Sequence, residues 1–153
     1  MKLEKATFAA GCFWGVQAKF DKIKGVVKTS VGYTDGNLKN PSYENVCSGS
    51  TEHAESILIE FNPKIISYEK LIKIFWDIHN PTTKDKQGFD IGNQYKSAIF
   101  YHNEKQKEIA LKSIKNIQKK YKNKIVTEVK KASKFYPAES YHQKYYLTHP
   151  NVC

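Results

Sequence analysis

The chain has 153 residues, 40% hydrophobic and 26% charged, with lysine supplying all 25 of its basic side chains and a net charge of +10. That length suits one compact core burying roughly 70% of the surface the unfolded form exposes, and no apolar run approaches the roughly 20 residues that a membrane-spanning helix needs. A bilayer-spanning helix is therefore excluded, and sequence-specific nucleic-acid binding is disfavoured because arginine, whose planar fork reads guanine edges, is absent.

Glu4 and Lys5 precede a very short apolar stretch, so the long apolar region of a secretory signal is missing and a cytoplasmic protein is expected. Lys5 to Ala10 reads as a strand. Phe13, Val16, Phe20 and Ile23 recur at helical spacing, which predicts a helix over 13–23 with Cys12 at the junction. Val26 to Tyr33 reads as a second strand, Thr34 to Ser42 as a turn-rich loop around Asp35-Gly36 and Asn40-Pro41, and Ala54 to Phe61 as a third strand. Ser67 caps a helix whose Leu71, Ile74, Phe75 and Ile78 share one stripe, closing near His79 before Pro81. Lys96 to Tyr101 reads as a strand, Asn103 caps a long helix carrying Ile109, Ala110, Ile114, Ile117 and Tyr121, and Ile125 to Lys130 resumes strand-like alternation.

No repeat or linker divides the sequence, so a single domain over 1–153 is expected. A monomer is expected, although nothing in the sequence reports oligomeric state. The order β-α-β-β-α-β with an extra helix and strand predicts an α+β fold. Its form is a ferredoxin-like split βαβ sheet with helices packed on it. The tail after Phe135, with its cluster Tyr141 to Tyr146, is expected to wrap the surface before Cys153.

Cys12, Cys47 and Cys153 are odd in number and widely separated, which is no disulfide framework. No CxxC spacing occurs and the five histidines do not repeat at ligand intervals, so neither metal nor cofactor is expected. Lys119, Lys120, Lys122 and Lys124 gather at a helix end, where cations complement the dipole, and read as a solvated face. The informative stretch is Gly11-Cys12-Phe13-Trp14-Gly15. A cysteine at the first turn of a helix meets unpaired backbone N–H groups and the positive end of the dipole, and both favour thiolate. The same spacing also suits an inert core cysteine beside two core aromatics.

GCFWG resembles the signature of the A-type peptide methionine sulfoxide reductases, and the similarity continues in collinear order. It runs through VGYTDG (31–36), PSYENVCSGSTEHAE (41–55), FNP (61–63), ISYEKL (66–71), QGFDIGNQYKS (87–97) and FYPAESYHQKYY (135–146). The resemblance implies reduction of the S epimer of methionine sulfoxide, free or in oxidised proteins, with Cys12 as nucleophile. A sulfoxide sulfur is electrophilic but its oxygen is a poor leaving group, so a thiolate is needed on one side and proton donors on the other. By the same resemblance Glu55, Tyr43 and Tyr95 line the oxygen pocket, Asp90 orders that network, and Phe13 and Trp14 form the aromatic wall for the substrate methyl. Cys153 is the implied recycling thiol, Cys47 is read as structural, and thioredoxin is the implied reductant.

Three positions depart from the family pattern: Asp35 and Glu52 stand where glycine is common, and Lys96 replaces arginine, which removes a rigid fork and is expected to loosen packing behind the site. On residue types alone, Tyr43 and Tyr95 also suit an amphipathic core, and Glu55 suits a solvent-facing strand position. Two other functions compete: a basic RNA-binding module with a fortuitous thiol, and a general thiol peroxidase.

Overall fold

A computed structural model of the chain describes residues 2–145. Strand β1 (Glu4–Ala10) leads into helix α1 (Phe13–Asp21), strand β2 (Val26–Thr34), a short helix α2 (Tyr43–Cys47) and strand β3 (Ala54–Phe61). Helix α3 (Tyr68–Asp77) precedes a hairpin of β4 (Lys86–Gln87) and β5 (Asp90–Ile91), a 3-10 turn at Asn93–Tyr95, and β6 (Ser97–Tyr101). Helix α4 (Glu104–Gln118), β7 (Glu128–Lys131), β8 (Tyr136–Pro137) and a 3-10 turn at Ser140–His142 follow.

The main sheet runs β7-β6-β1-β3-β2-β8. Within it β6, β1, β3 and β2 pair antiparallel, with α1 and α3 as crossovers, which is the expected ferredoxin-like arrangement. The additional helix is α4, which carries the chain to β7, parallel to β6 at the edge. At the opposite edge β8 sets Pro137 and Tyr136 beside Gly32 and Tyr33. Gly32 has no substitute there, because a Cβ would collide with the Tyr136 carbonyl and the Phe135 ring.

Strand alternation explains the core. Ala6, Phe8 and Ala10 of β1, Val31 and Tyr33 of β2, and Ile57, Ile59 and Phe61 of β3 face the helices, where Phe13, Phe20, Leu71 and Phe75 meet them. Phe8 stacks among Phe20, Tyr68 and Phe75 at centroid separations of 5.8, 6.1 and 5.0 Å. Burying each such ring contributes about 1.5–3 kcal/mol. The opposite face carries a smaller cluster of Ala9, Ala54, Ala98 and Phe100.

Boundaries differ from the periodicity where side chains intervene. Helix α1 ends at Asp21 rather than Ile23, because Val26 N donates to Ile23 O at 3.1 Å and Gly25, at φ 102°, turns the chain into β2. The last predicted strand begins at Glu128 rather than Ile125, since Ile125 N donates to Gln118 Oε1 at 2.9 Å and Val126 N to Pro81 O at 2.8 Å. Among the described residues no helix is long and apolar enough to cross a membrane.

Candidate active site

Strand β1 ends at the edge where β3 begins, and the turn between β1 and α1 places Cys12 there. Gly11 permits that turn: its φ is 94°, and a Cβ would meet Gln87 Cγ at 2.9 Å. Cys12 occupies the N-cap position of α1, half-buried. The amides of Trp14 and Gly15 act on its sulfur in the direction expected of a helix N-terminus, but they do not win. Burial, and after it the charge of Glu55, push the thiol up to about 12. The resting group is therefore a thiol rather than the thiolate that the helix end alone suggests.

Glu55 follows from the same alternation as the core. It shares parity with Ile57, Ile59 and Phe61, so its carboxyl points among the helices, only 1% exposed. Phe13 N donates to Oε1 at 3.2 Å, while Oε2 is buried without a hydrogen-bond partner among the described residues. Burial raises its pKa to about 8, with the Phe13 amide opposing and the charge of Asp90 assisting. At neutral pH the carboxyl is mostly protonated, a buried acid with one oxygen left to bond a ligand.

Aromatic rings enclose this pair. Tyr43, the first residue of α2, stacks on Phe13 and Trp14 at 6.4 and 6.3 Å. Helix α2 is set by a capping box, in which Ser42 Oγ accepts from Asn45 N at 3.1 Å and Asn45 Oδ1 from Ser42 N at 3.0 Å. The Tyr43 hydroxyl is held protonated by burial, then by its hydrogen bond toward Cys47 and the charge of Glu55. Tyr95, in the turn before β6, is likewise pushed up by burial and then by the charges of Glu55, Asp90, Cys47 and Cys12. Cys47 is exposed at the end of α2, where burial and the charges of Glu55 and Glu139 push its thiol up and the Tyr43 hydroxyl opposes them.

The tail supplies residues that the sequence reading did not single out. His142 Nδ1 accepts from Trp14 Nε1 at 2.9 Å, and its ring lies 4.3 Å from that of Tyr43 and 5.4 Å from that of Phe13. Tyr145 stacks on Trp14 at 3.9 Å. Glu139 Oε1 accepts from the Tyr33 hydroxyl and Oε2 from Tyr43 N, both at 3.0 Å. The available signal was the density of aromatic and polar residues in FYPAESYHQKYY, which suits packing against other aromatics more than exposure.

Seven of the expected site residues thus gather at one end of the sheet, although Asp90 differs from the rest. It is exposed on β5 and acts on Cys12, Glu55 and Tyr95 through its charge, with no hydrogen bond to them among the described residues. Cys153 lies outside the described residues. No group of three or more metal-ligating side chains occurs among the described residues. Chemically, a thiol stands beside a protonated carboxyl and two protonated phenols, with an aromatic wall at its side. That set suits attack on an electrophilic atom whose departing oxygen must be protonated.

Comparison with known proteins agrees. The family model described as peptide methionine sulfoxide reductase matches residues 4–153. A peptide methionine sulfoxide reductase MsrA of Methanosarcina acetivorans is 55% identical over 146 residues, covering 94% of this chain and 78% of the relative. The reduced form of Mxr1 from Saccharomyces cerevisiae superposes with a TM-score of 0.95 at 36% identity, over 99% of this chain and 88% of that one. Mxr1 in complex with Trx2 matches at a TM-score of 0.68 and 27% identity, over 94% of this chain and 85% of that one. With fold, ordered motifs and nearly the whole length in agreement, this chain belongs to the A-type peptide methionine sulfoxide reductases.

Proposed function

We propose that the protein, as a single cytoplasmic domain over 1–153, reduces the S epimer of methionine sulfoxide through Cys12, with Glu55 as the proton donor. The observation that carries this reading is the Glu55 carboxyl, buried beside the thiol and held neutral to about pH 8, with one oxygen unpartnered among the described residues. The sulfoxide methyl packs against Phe13 and Trp14, and its oxygen accepts hydrogen bonds from Glu55, Tyr43 and Tyr95. As Cys12 sulfur attacks the sulfoxide sulfur, its proton passes to Glu55 while Glu55 delivers its own to the oxygen. The bond formed between the two sulfurs then breaks as the protonated oxygen shifts to Cys12: the substrate S–O bond is lost, its sulfur gains two electrons and leaves as methionine, and Cys12, oxidised by two electrons, is left as a sulfenic acid. A carboxyl that gives and regains a proton explains how a thiol with so high a pKa reacts at neutral pH.

Cys153 then attacks the sulfenic sulfur, forming a disulfide and releasing water, and a thioredoxin dithiol reduces that disulfide. The Mxr1–Trx2 complex supports this choice of reductant. Asp90 tunes the pair by its charge. The test is turnover of each epimer of blocked methionine sulfoxide. Cys12→Ser should abolish methionine formation, and Glu55→Gln should lower kcat about 100-fold, the cost of losing one transition-state donor. Mass spectrometry should detect a Cys12–Cys153 disulfide after one turnover. Full activity in Glu55→Gln would sink the assigned donor, and rapid peroxide consumption without sulfoxide reduction would favour a thiol peroxidase.

A further inference from the structure

One shielded imidazole takes no part in the proton transfers at Cys12. His79, two residues past α3, lies against the rings of Phe75 and Trp76 at 4.4 and 6.3 Å, and burial lowers its pKa to about 4. It is therefore neutral near pH 7, with a single proton to place. Nδ1 stands 2.7 Å from Phe75 O, and a carbonyl only accepts, so the proton is on Nδ1 and Nε2 is a bare acceptor. The Ser97 hydroxyl, 2.7 Å away, then donates to Nε2, and Ser97 Oγ accepts from Thr127 Oγ1 at 2.7 Å. Each proton in this chain has one direction, and a serine only 3% exposed is gripped from both sides.

The place of Ser97 in the sheet gives that grip a consequence. Ser97 is the register partner of Ala10, on the last rung between β1 and β6. It shares parity with Ile99, so its side chain points toward the helices. Beyond that rung the two strands part: β1 runs two residues on to Cys12, and the chain enters β6 from Tyr95, two residues before Ser97. The turn carrying Tyr95 is moored on its other side by Asn93 Nδ2, which donates to Gly49 O at 2.9 Å.

We infer that His79 and Ser97 are positioning residues of the reaction: by fixing the Ala10–Ser97 rung they set the place of the Tyr95 hydroxyl relative to the Cys12 sulfur. This rests on the reading of Tyr95 as a donor to the sulfoxide oxygen. A misplacement of about 1 Å can cost on the order of 100-fold in rate, so the rigidity of the rung is expressed in the chemical step rather than in binding.

The experiment measures methionine formation in a single turnover of reduced protein. Two quantities are read: the rate at saturating N-acetyl methionine S-sulfoxide, and the concentration giving half of it. Ser97→Ala should lower the saturated rate about tenfold and leave the half-saturating concentration unchanged. That loss should disappear in a Tyr95→Phe background, where no hydroxyl remains to be placed, and persist in a Tyr43→Phe background. His79→Leu should repeat the pattern of Ser97→Ala, and it carries the same test if Ser97→Ala does not fold. His79→Gln, whose carboxamide can both donate to Phe75 O and accept from Ser97, should recover most of the rate. A loss of equal size in the Tyr95→Phe background assigns the pair to general stability and overturns the inference. So does a full rate in Ser97→Ala and His79→Leu, or His79→Gln no faster than His79→Leu. Wild type that turns over no sulfoxide overturns the reading of Cys12 itself, and this inference with it.

Discussion

Glu55 sets the protonation logic of the site, and its sign can be followed through two measurements. The carboxyl is the donor while protonated, so kcat/KM should bend downward as pH rises through about 8. In Glu55→Gln that bend should vanish along with most of the rate; a bend that survives would assign it to another group. Stability also falls with rising pH, over a lower window. The unfolded chain ionises this carboxyl near 4.5 and the folded chain only near 8, so between those values folding becomes less favourable as pH rises. Glu55→Gln keeps an acceptor for Phe13 N and removes the penalty, so at neutral pH it should be more stable by on the order of 3 kcal/mol. Thermal melts should show the gap closing below pH 4.5. The inward parity of Glu55 was legible, because Ile57, Ile59 and Phe61 at alternate positions declare the core face of β3. Residue type argued against it, and only the resemblance gave the carboxyl a task. The Cys12 thiol shows the reverse: the helix end was readable from spacing, whereas the burial that overrides it depends on rings brought in from distant parts of the chain.

Among the elements, the joint between β2 and β6 shows how two departures from the family pattern fit each other. Asp35 adopts φ 69°, a left-handed conformation that costs a residue with a Cβ about 1–2 kcal/mol, and Glu52 does likewise at φ 59°. These angles explain why glycine is usual at both positions. The Asp35 carboxylate accepts from Lys96 Nζ at 2.8 Å and from Lys130 Nζ at 3.0 Å, and Lys96 also reaches Glu128 at 3.2 Å. Burial alone would raise the Asp35 pKa, yet the two lysines hold it below the ordinary carboxylate range. The lysine that replaces a rigid fork is thus tied by an acid that replaces a glycine. Lys96→Met should destabilise the fold by about 1–2 kcal/mol, and Asp35→Gly should recover most of that loss in the Lys96→Met background. Urea melts of the four proteins measure the coupling, and strictly additive effects would refute it. The long elements, β1 to β3, α3 and α4, were readable because each repeats its period several times. Helix α2 and strands β4, β5 and β8 each span five residues or fewer. They persist through caps and side-chain bonds that periodicity does not register, although Ser42 and Asn45 carried a capping signal.

At the scale of the molecule, the tail returns to the opposite end of the sequence and finishes the site. Glu139 holds it by accepting from Tyr33 and from the amide of Tyr43, and His142 accepts from Trp14. Glu139→Ala should loosen this wall without touching the thiol. The Tyr43 amide should exchange hydrogen faster, and KM for blocked methionine sulfoxide should rise about tenfold, the cost of a less organised pocket. Unchanged exchange and KM would show that the aromatic stack holds the tail unaided. That the tail wraps the surface was legible from its density of rings. Which rings it covers was not, because contacts spanning most of the chain leave no local pattern. The union of Trp14 and His142 also has a temporal consequence. During synthesis the N-terminal strands emerge first, and the ribosomal exit tunnel still hides residue 142 while they search for partners. A nascent or prematurely terminated chain therefore presents its cysteine without the finished enclosure, and full competence arrives only when the last wall is delivered.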